Sequence, residues 1–323
     1  MPNWTKFPAR PVRIAVLVYD RFSNLCLANC LEPLRAANTL TASSAYRWQI
    51  LSPDGGPVRS SSGIDVMAGA PLAQGGEADY LFVLASYGHE RHDTPANRRM
   101  LRAAARRARV IVGFDTGPWL LAAAGLLDGR RATVHWDLLE SFAERFLEIE
   151  TIHARTVRDG PVMTCAGALS ALDLSLDLIA EHLGLAARLD VEALFIRADP
   201  PAGAGDGARD PVPDPLVRRA LALMRATVER PLPLAQLARR LSCQPRTLDR
   251  HFRARLGAAP GAVYRHLRLA AARKLIADSP LPVAEIALRC GYDSPAALAR
   301  AVRRAYGAAP SALRRSGRAA TQG

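Results

Sequence analysis

The sequence lacks any long apolar run, has few cysteines and has almost no lysine. No stretch reaches about 18 consecutive apolar residues, so the sequence predicts no membrane-spanning helix. The first apolar run ends at Asp20 after about six residues, which is shorter than the apolar region of a signal peptide. The five cysteines include no Cys-X-X-Cys pair. This usage favours reduced thiols and a cytoplasmic protein.

Acidic residues are scarce in the last third of the chain. The 323 residues carry a net charge of +13. Residues 1–210 hold 22 Lys and Arg against 24 Asp and Glu, whereas residues 211–323 hold 21 against 6. Arg accounts for nearly all the positive charge, since Lys occurs only at Lys6 and Lys274. A preference for Arg explains the missing Lys but not the missing acids, so the last third is predicted to bind a polyanion such as nucleic acid.

One segment without an apolar face divides the chain. Residues 199–215 are rich in Pro, Gly and Asp, which predicts a linker. In residues 1–198, β-branched runs alternate with helical periods, which predicts an α/β domain with a mostly parallel sheet. Residues 216–323 show helical periodicity and no convincing strand, which predicts an all-α domain.

The all-α region contains an internal repeat. Residues 245–260 align with residues 295–310 at an offset of 50, with 8 of 16 positions identical. Each copy combines a short helix, a turn near Ser242 or Gly291, and a second helix with apolar residues at i, i+4 and i+8. A helix-turn-helix places its second helix in the major groove. The repeat therefore predicts two helix-turn-helix units, joined by a helix over residues 262–279 and bound to double-stranded DNA.

Residues 216–315 resemble the DNA-binding domain of AraC-type transcription regulators. The resemblance rests on LAQLARRLSCQPRTLDRHFRARLGAAP, YRHLRLAAARKLI and VAEIALRCGYDSPAALARAVRRAYGAAPSALR. It implies that the helices over residues 244–256 and 294–306 contact DNA and that RNA polymerase is a further partner. The expected DNA-contacting residues are Gln244, Arg246, Thr247, Arg250 and Arg253 in the first unit and Ser294, Arg300, Arg303 and Arg304 in the second.

The second copy departs from the AraC-type pattern. Ala296, Ala297 and Ala299 stand where polar side chains commonly read bases. Alanine can touch a thymine methyl group but cannot form a hydrogen bond with a base. We therefore expect the second unit to contribute phosphate affinity through its arginines more than discrimination between DNA sequences.

The stretch VIVGFDTGPWLLAAAGLLDG, residues 110–129, predicts a buried strand, a tight turn and a helix. Hydrolytic α/β folds place their nucleophile at such a turn. Here the turn holds Asp115, followed by Thr116. Two compatible interpretations follow. Asp115 is a helix cap, with Pro118 in the first turn, or its carboxylate forms the floor of a pocket for a cationic ligand.

Residues 11–195 resemble PfpI-like domains of the class I glutamine amidotransferase fold. The resemblance rests on IAVLVYDRFSNLCLANCLEPLRAAN, DYLFVLASYG, GFDTGPWLLAAAGLLDGRRATVHW and PVMTCAGALSALDLSLDLI. It implies a flavodoxin-like fold and, ahead of an AraC-type domain, the architecture of GlxA-type regulators, with a ligand-sensing domain and a homodimer. The Asp-Thr-Gly turn is similar to that in regulators of arginine, glycine betaine, carnitine and sarcosine catabolism. The expected effector is therefore a cationic amino acid or a quaternary amine, and the expected action is activation.

PfpI-like enzymes carry a cysteine at this turn, because a thiolate at a helix N-terminus is stabilised. With Asp115 in that place, the resemblance predicts no thiol hydrolase chemistry there, and no metal or cofactor is predicted. The candidate ligand-binding residues are Glu32, Ser86, Tyr87, Asp115, Thr116, His135 and Trp136. Glu32 is otherwise a solvated helix charge, His135 a side chain that holds a loop, and Trp136 a core residue.

Two other functions stay open. Cys165 also follows a short strand and precedes a helix, so a DNA-binding cysteine hydrolase or amidase of the PfpI type would use it as nucleophile. Its alternative is a buried, inert thiol. A constitutive regulator would use its first domain only to dimerise. The hydrolase predicts turnover that Cys165→Ala abolishes, and the constitutive regulator predicts no stabilisation by ligands.

Overall fold

The chain forms two compact units. The computed structural model describes residues 5–6, 8–41, 44–195 and 214–320. The first unit is Phe7–His182, and the second is Leu183–Gly323 together with Met1–Lys6. Most of the predicted linker, residues 199–213, lies outside the described residues. None of the helices in the described ranges is long and apolar enough to cross a membrane.

Eleven strands occur in the described part of the first unit. They are β1 (Val12–Val18), β2 (Tyr46–Ser52), β3 (Val58–Arg59), β4 (Asp65–Val66), β5 (Ala70–Pro71), β6 (Ala78–Ala85), β7 (Ala108–Asp115), β8 (Arg131–Ala132), β9 (Glu150–Thr151), β10 (Thr156–Asp159) and β11 (Val162–Cys165). Seven of them form one sheet in the order β10-β11-β7-β6-β1-β2-β5. Its neighbouring strands are parallel except for β10 and β11. The predicted mostly parallel sheet is confirmed.

Five α-helices occur in the described residues before Gly184. They are α1 (Asn24–Thr41), α2 (Pro95–Ala105), α3 (Gly117–Ala123), α4 (Leu139–Arg145) and α5 (Ala168–Leu183). β6 and β7 are central strands, and every residue of β6 is buried, as expected for a parallel strand covered on both faces.

The turn from β7 into α3 depends on close backbone packing. A Cβ atom on Gly117 would lie 2.2 Å from the carbonyl oxygen of Val83, and one on Gly113 would lie 2.9 Å from the nitrogen of Pro118. Glycine at both positions therefore allows α3 to start directly against the neighbouring strand. This packing fixes the end of β7 at the carboxyl edge of the sheet.

The described part of the second unit is entirely helical. Its helices are α6 (Leu185–Phe195), α7 (Pro215–Ala226), α8 (Leu234–Arg240), α9 (Pro245–Leu256), α10 (Pro260–Asp278), α11 (Val283–Arg289), α12 (Pro295–Tyr306) and α13 (Pro310–Ala320). The predicted all-α fold is confirmed, with α8–α9 and α11–α12 as the two helix-turn-helix pairs. The turns contain Ser242 and Gly291 in the left-handed region, at φ of 56° and 68°.

The second unit has two apolar cores that share α10. The first core joins α7, α8 and α9 to Val263, Tyr264 and Leu267 of α10. The second joins α11 and α12 to Ala272 and Ile276 of the same helix. Helix α6 packs into the first core, whereas the sequence predicts that it belongs to the domain of residues 1–198. The apolar pattern of a helix does not tell which of two cores it will join, which is why the sequence missed this.

Candidate functional site

Asp115 is the last residue of β7 and lies at the centre of the carboxyl edge of the sheet. Its φ is 61°, in the left-handed region that non-glycine residues seldom adopt. Only 6% of its surface is exposed. A strained residue between a buried strand and a helix is the geometry of a nucleophile elbow. The structure therefore has the shape of the elbow, with a carboxylate in place of the nucleophile.

Asp115 does not cap α3. The N-cap residue is Thr116, whose side chain makes no capping hydrogen bond. The Thr116 hydroxyl instead donates to the carbonyl oxygen of Ser86 at 3.0 Å. The interpretation of Asp115 as a helix cap is wrong, because Asp115 still belongs to the strand and the helix begins one residue later.

The environment of Asp115 makes its negative charge costly. Burial raises the pKa of this carboxyl group, although the charge of His135 and a hydrogen bond from Ser86 act in the opposite direction. The backbone N–H of His135 also donates to the carbonyl oxygen of Asp115 at 3.0 Å. A buried carboxylate with these few compensating contacts gains strongly from a cation placed beside it.

The structure brings together four of the seven candidate ligand residues: Ser86, Asp115, Thr116 and His135. Trp136 follows His135 with its ring centroid 5.6 Å from the imidazole, and it is 67% exposed. Tyr87 is also exposed. Both aromatic side chains are thus surface residues, so the core interpretation of Trp136 is wrong.

Glu32 has a partner of its own on α1. Its carboxylate lies 2.7 Å from Arg35, and both side chains are about half exposed, at 46% and 52%. On α1, the charge of Asp115 acts on the thiol of Cys26. The thiol of Cys30, burial and the charge of Asp115 raise the pKa of Cys26 well above its usual value. The sequence offered no signal for this, since Cys26 resembles an ordinary core position.

Cys165 has the environment of an inert thiol. It is fully buried, and its Sγ donates to the carbonyl oxygen of Gly167 at 3.4 Å. Burial, Cys26 and Asp115 raise its pKa well above the usual value. Since the thiolate is the nucleophilic form, this environment disfavours attack by Cys165.

A cavity of about 270 Å³ lies at the opposite, amino edge of the sheet and was not expected from the sequence. Its charged side chains pair with one another: Arg10 contacts Asp79 through two hydrogen bonds of 2.7 and 2.9 Å. Asp79 also accepts from the backbone N–H of Arg13 at 2.9 Å. These contacts fasten the start of β1 to β6.

Helix α9 presents an arginine-rich face opposite its buried stripe. Leu248, Phe252 and Leu256 are buried in the first core. The expected DNA-contacting residues Gln244, Arg246, Arg250 and Arg253 are exposed, and Thr247 is partly exposed. Arg253 also pairs with Asp249 at 2.7 Å. The side chain of Gln244, at the N-cap position, makes no capping hydrogen bond.

Helix α12 also has a buried apolar stripe and an exposed arginine-rich face, but its N-terminal residues are less polar than those of α9. Leu298 and Val302 are buried, while Arg300, Arg303 and Arg304 are exposed. Ser294 is half-buried at the N-cap, and its hydroxyl accepts from the backbone N–H of Ala297 at 3.1 Å. Ser294 therefore caps the N-terminus of α12, a structural role that was not predicted from the sequence.

Comparison with known proteins matches both units. The DJ-1/PfpI family model matches residues 12–181, and a helix-turn-helix domain model matches residues 237–316. The chain is 37% identical to the HTH-type transcriptional regulator GlxA of Rhizobium meliloti over 310 residues, which cover 94% of this chain and 95% of that one. It is 36% identical to the HTH-type transcriptional regulator CdhR of Pseudomonas aeruginosa over 300 residues, covering 91% and 89%.

The chain belongs to the AraC-type transcriptional regulators that carry a DJ-1/PfpI domain. It is a DNA-binding transcriptional regulator, as the two helix-turn-helix units predict. A solved AraC family transcriptional regulator from Pseudomonas putida is also similar, with a TM-score of 0.51 and 26% identity over 57% of this chain and all of that chain.

One further residue organises the DNA-binding unit of this regulator. Asp214 immediately precedes α7 and accepts hydrogen bonds from the backbone N–H groups of Leu216 and Val217, at 3.0 and 3.2 Å. Its other oxygen lies 2.7 Å from Nδ1 of His251 on α9. Asp214 therefore fixes the start of α7 against the first arginine-rich helix. The sequence predicted only the end of a linker here.

Proposed function

We propose that this regulator responds to a small cationic effector bound at the elbow around Asp115. The effector class is a cationic amino acid or a quaternary amine. In this proposal the regulator activates transcription as a homodimer that contacts RNA polymerase. Binding can change DNA occupancy only if the effector favours one arrangement of the protein over another.

The observation that carries the proposal is the buried carboxylate of Asp115 in a strained conformation. A buried charge is unfavourable unless it is paired. A cationic group supplies the pair, and the raised pKa of Asp115 indicates that the charge is poorly compensated without one. Trp136, exposed beside His135, adds an aromatic face of the kind that attracts ammonium and guanidinium groups.

In this proposal the two arginine-rich helices, α9 and α12, make different kinds of contact with DNA. On α9, the exposed Gln244, Arg246 and Arg250 are suited to base edges, since amides and guanidinium groups form paired hydrogen bonds with bases. On α12, the arginines are suited to phosphate oxygens. The first helix-turn-helix unit then supplies most of the discrimination between DNA sequences.

A thermal-shift screen of the full chain tests the effector site. The panel contains amino acids, betaines, carnitine and polyamines. A ligand at 100 times its Kd stabilises a protein by about 2.7 kcal/mol, which moves a melting temperature measurably. We expect a stabilising ligand whose effect is lost in Asp115→Asn and kept in Asp137→Asn. Asp137 is a matched control because its carboxylate is exposed and lies 3.7 Å from the same His135.

Other outcomes contradict the proposal in distinct ways. A shift that survives Asp115→Asn would place the effector elsewhere. No shift with any panel member would favour a constitutive regulator whose first unit only dimerises. Turnover of amide or ester substrates that Cys165→Ala abolishes would instead favour a DNA-binding hydrolase.

A further inference from the structure

The acids on the two sides of the predicted linker both bind histidines of the DNA-binding unit. Asp190, on α6, lies 2.9 Å from Nε2 of His266 on α10. Asp214 lies 2.7 Å from Nδ1 of His251 on α9. Asp190 and Asp214 therefore both contact the DNA-binding unit. The chain passes from one unit to the other before α6, next to Gly184 with its φ of 88°.

Helix α6 is packed as a member of the DNA-binding unit. Ala186 and Leu189 are buried in the first core together with side chains of α7, α8, α9 and α10. Arg188 and Glu192 form a buried ion pair of 2.8 Å along the helix. Both apolar packing and satisfied charges thus hold α6 in place.

The contact between Asp190 and His266 favours the protonated imidazole. Burial alone would lower the pKa of His266, but Asp190 and the backbone of Ala186 outweigh burial and raise it. An imidazole held by two acceptors donates from both nitrogens, which is the protonated form. The side chains of Asp190 and His266 are only 16% and 19% exposed, so solvent screens this pair weakly.

His266 occupies a special position on α10. Tyr264, two residues before it, and Leu267, directly after it, belong to the first core, and from Leu269 onward α10 packs in the second core. Asp190 therefore contacts α10 at the boundary between the two apolar cores, which belong to different helix-turn-helix units.

The charge of Asp190 also affects Arg273, which contacts the second helix-turn-helix unit. Burial lowers the pKa of Arg273, and the charge of Asp190 opposes that effect. The guanidinium of Arg273 lies 4.9 Å from the ring centroid of Tyr306, at the end of α12. Arg273 and Tyr306 thus link α10 to the end of α12, and the charge of Asp190 favours the charged form of Arg273.

We propose that Asp190 is a positioning residue for DNA binding. By holding His266, it fixes α10 and so sets the separation at which α9 and α12 engage DNA. Two recognition helices that bind one face of DNA must lie about one helical turn, roughly 34 Å, apart. The inference rests on the proposed contacts of both α9 and α12 with DNA.

Selection of DNA sequences by the full chain tests this role. The probe is a pool of random duplexes, and the readout is the separation between the two recurring half-sites. We expect the wild-type chain to select a single separation. Asp190→Asn should select the same half-site sequences at several separations, with preference for the wild-type separation reduced about tenfold, the scale of a typical coupling between sites. His266→Gln should behave likewise and serves if Asp190→Asn folds poorly.

Glu285→Gln is the matched control, because it removes the carboxylate of an exposed ion pair, with Arg289 at 2.6 Å, in the same unit. It should select the wild-type separation. An unchanged separation in folded Asp190→Asn would overturn the inference. Loss of the half-site sequences together with the separation would also overturn it, by showing a general structural role. A wild-type chain that selects one half-site alone would overturn the proposed use of both helices as well.

Discussion

The two helix-turn-helix units repeat one framework but differ on the surface it presents. α9 and α12 both start with proline and both end at a left-handed glycine, Gly257 with φ of 65° and Gly307 with φ of 71°. Both bury residues at i and i+4, which are Leu248 and Phe252 in the first helix. Proline at the first position and glycine after the last are the residues that helix ends favour.

The exposed N-terminal positions of these helices have diverged. Gln244 and Arg246 of α9 correspond to Ser294 and Ala296 of α12. The copies thus keep the residues that build the helices and differ in those that would meet base edges. The proposed division between base contacts and phosphate contacts depends on this difference, and matched substitutions at an offset of 50 can test it.

The largest expected difference lies in the cores. Phe252 and Val302 occupy matched positions, and both are fully buried. Phe252→Ala should destabilise its unit by about 3–5 kcal/mol. Val302→Ala removes two methyl groups and should cost about 2 kcal/mol. Hydrogen exchange of the full chain, compared between α8–α9 and α11–α12, measures both. Equal losses of protection in the two units would mean that they unfold as one.

Much of this framework could be predicted from the sequence, because its signals are local. The period of apolar residues, the prolines and the glycines placed both helix pairs and both turns. The position of α6 could not be predicted, since Asp190 contacts His266, 76 residues further along the chain, and Leu189 packs with side chains of α7 to α10. Contacts between residues far apart in the chain leave no local pattern.

The next difference concerns DNA discrimination. Arg250 and Arg300 are both exposed at matched positions. Arg250→Ala should cost about 1–3 kcal/mol on cognate DNA and much less on scrambled DNA, as expected for loss of a base contact. Arg300→Ala should weaken both DNAs similarly, as expected for loss of a phosphate contact. Titrations with the two duplexes at fixed salt measure this. A loss on cognate DNA alone in Arg300→Ala would contradict the assignment.

The elbow could be located from the sequence, but its details could not. The β-branched run and the Gly-X-X-X-Gly spacing identify the turn at Asp115. They do not specify that Thr116 takes the cap position or that the charge of Asp115 acts on the thiol of Cys26. Those details depend on a one-residue difference in where the helix starts and on which face of α1 turns inward.

A smaller difference is expected at the N-caps. Ser294 caps α12 through Ala297, whereas Gln244 makes no capping bond. Ser294→Ala should therefore destabilise the second helix-turn-helix unit by about 1 kcal/mol. Gln244→Ala should leave the stability of the first helix-turn-helix unit nearly unchanged while reducing its discrimination between DNA sequences. Denaturant unfolding and DNA titration of both variants measure these effects. A stability loss in Gln244→Ala that equals the loss in Ser294→Ala would remove the distinction.

The smallest expected effect is a difference in pH dependence. Of the two helix-turn-helix units, only the first has the Asp214–His251 contact, because Ala301 stands at the position matched to His251. Burial would raise the pKa of Asp214, but the hydrogen bonds from His251 and from the backbone outweigh burial and lower the pKa. A lowered carboxyl pKa contributes stability above the unfolded value of about 3.9, and this contribution is lost as the pH falls through the folded pKa.

Asp214→Asn keeps a capping side chain and removes the charge. It should destabilise the first helix-turn-helix unit by at most about 1 kcal/mol at pH 6. The difference from wild type should shrink as the pH falls below about 3.9 and disappear below the folded pKa of Asp214. Hydrogen exchange in α7 and α9 at the two pH values measures this, with α12 as the internal control. A deficit that persists at the lower pH would mean that the shape of Asp214, and not its charge, holds α7 against α9.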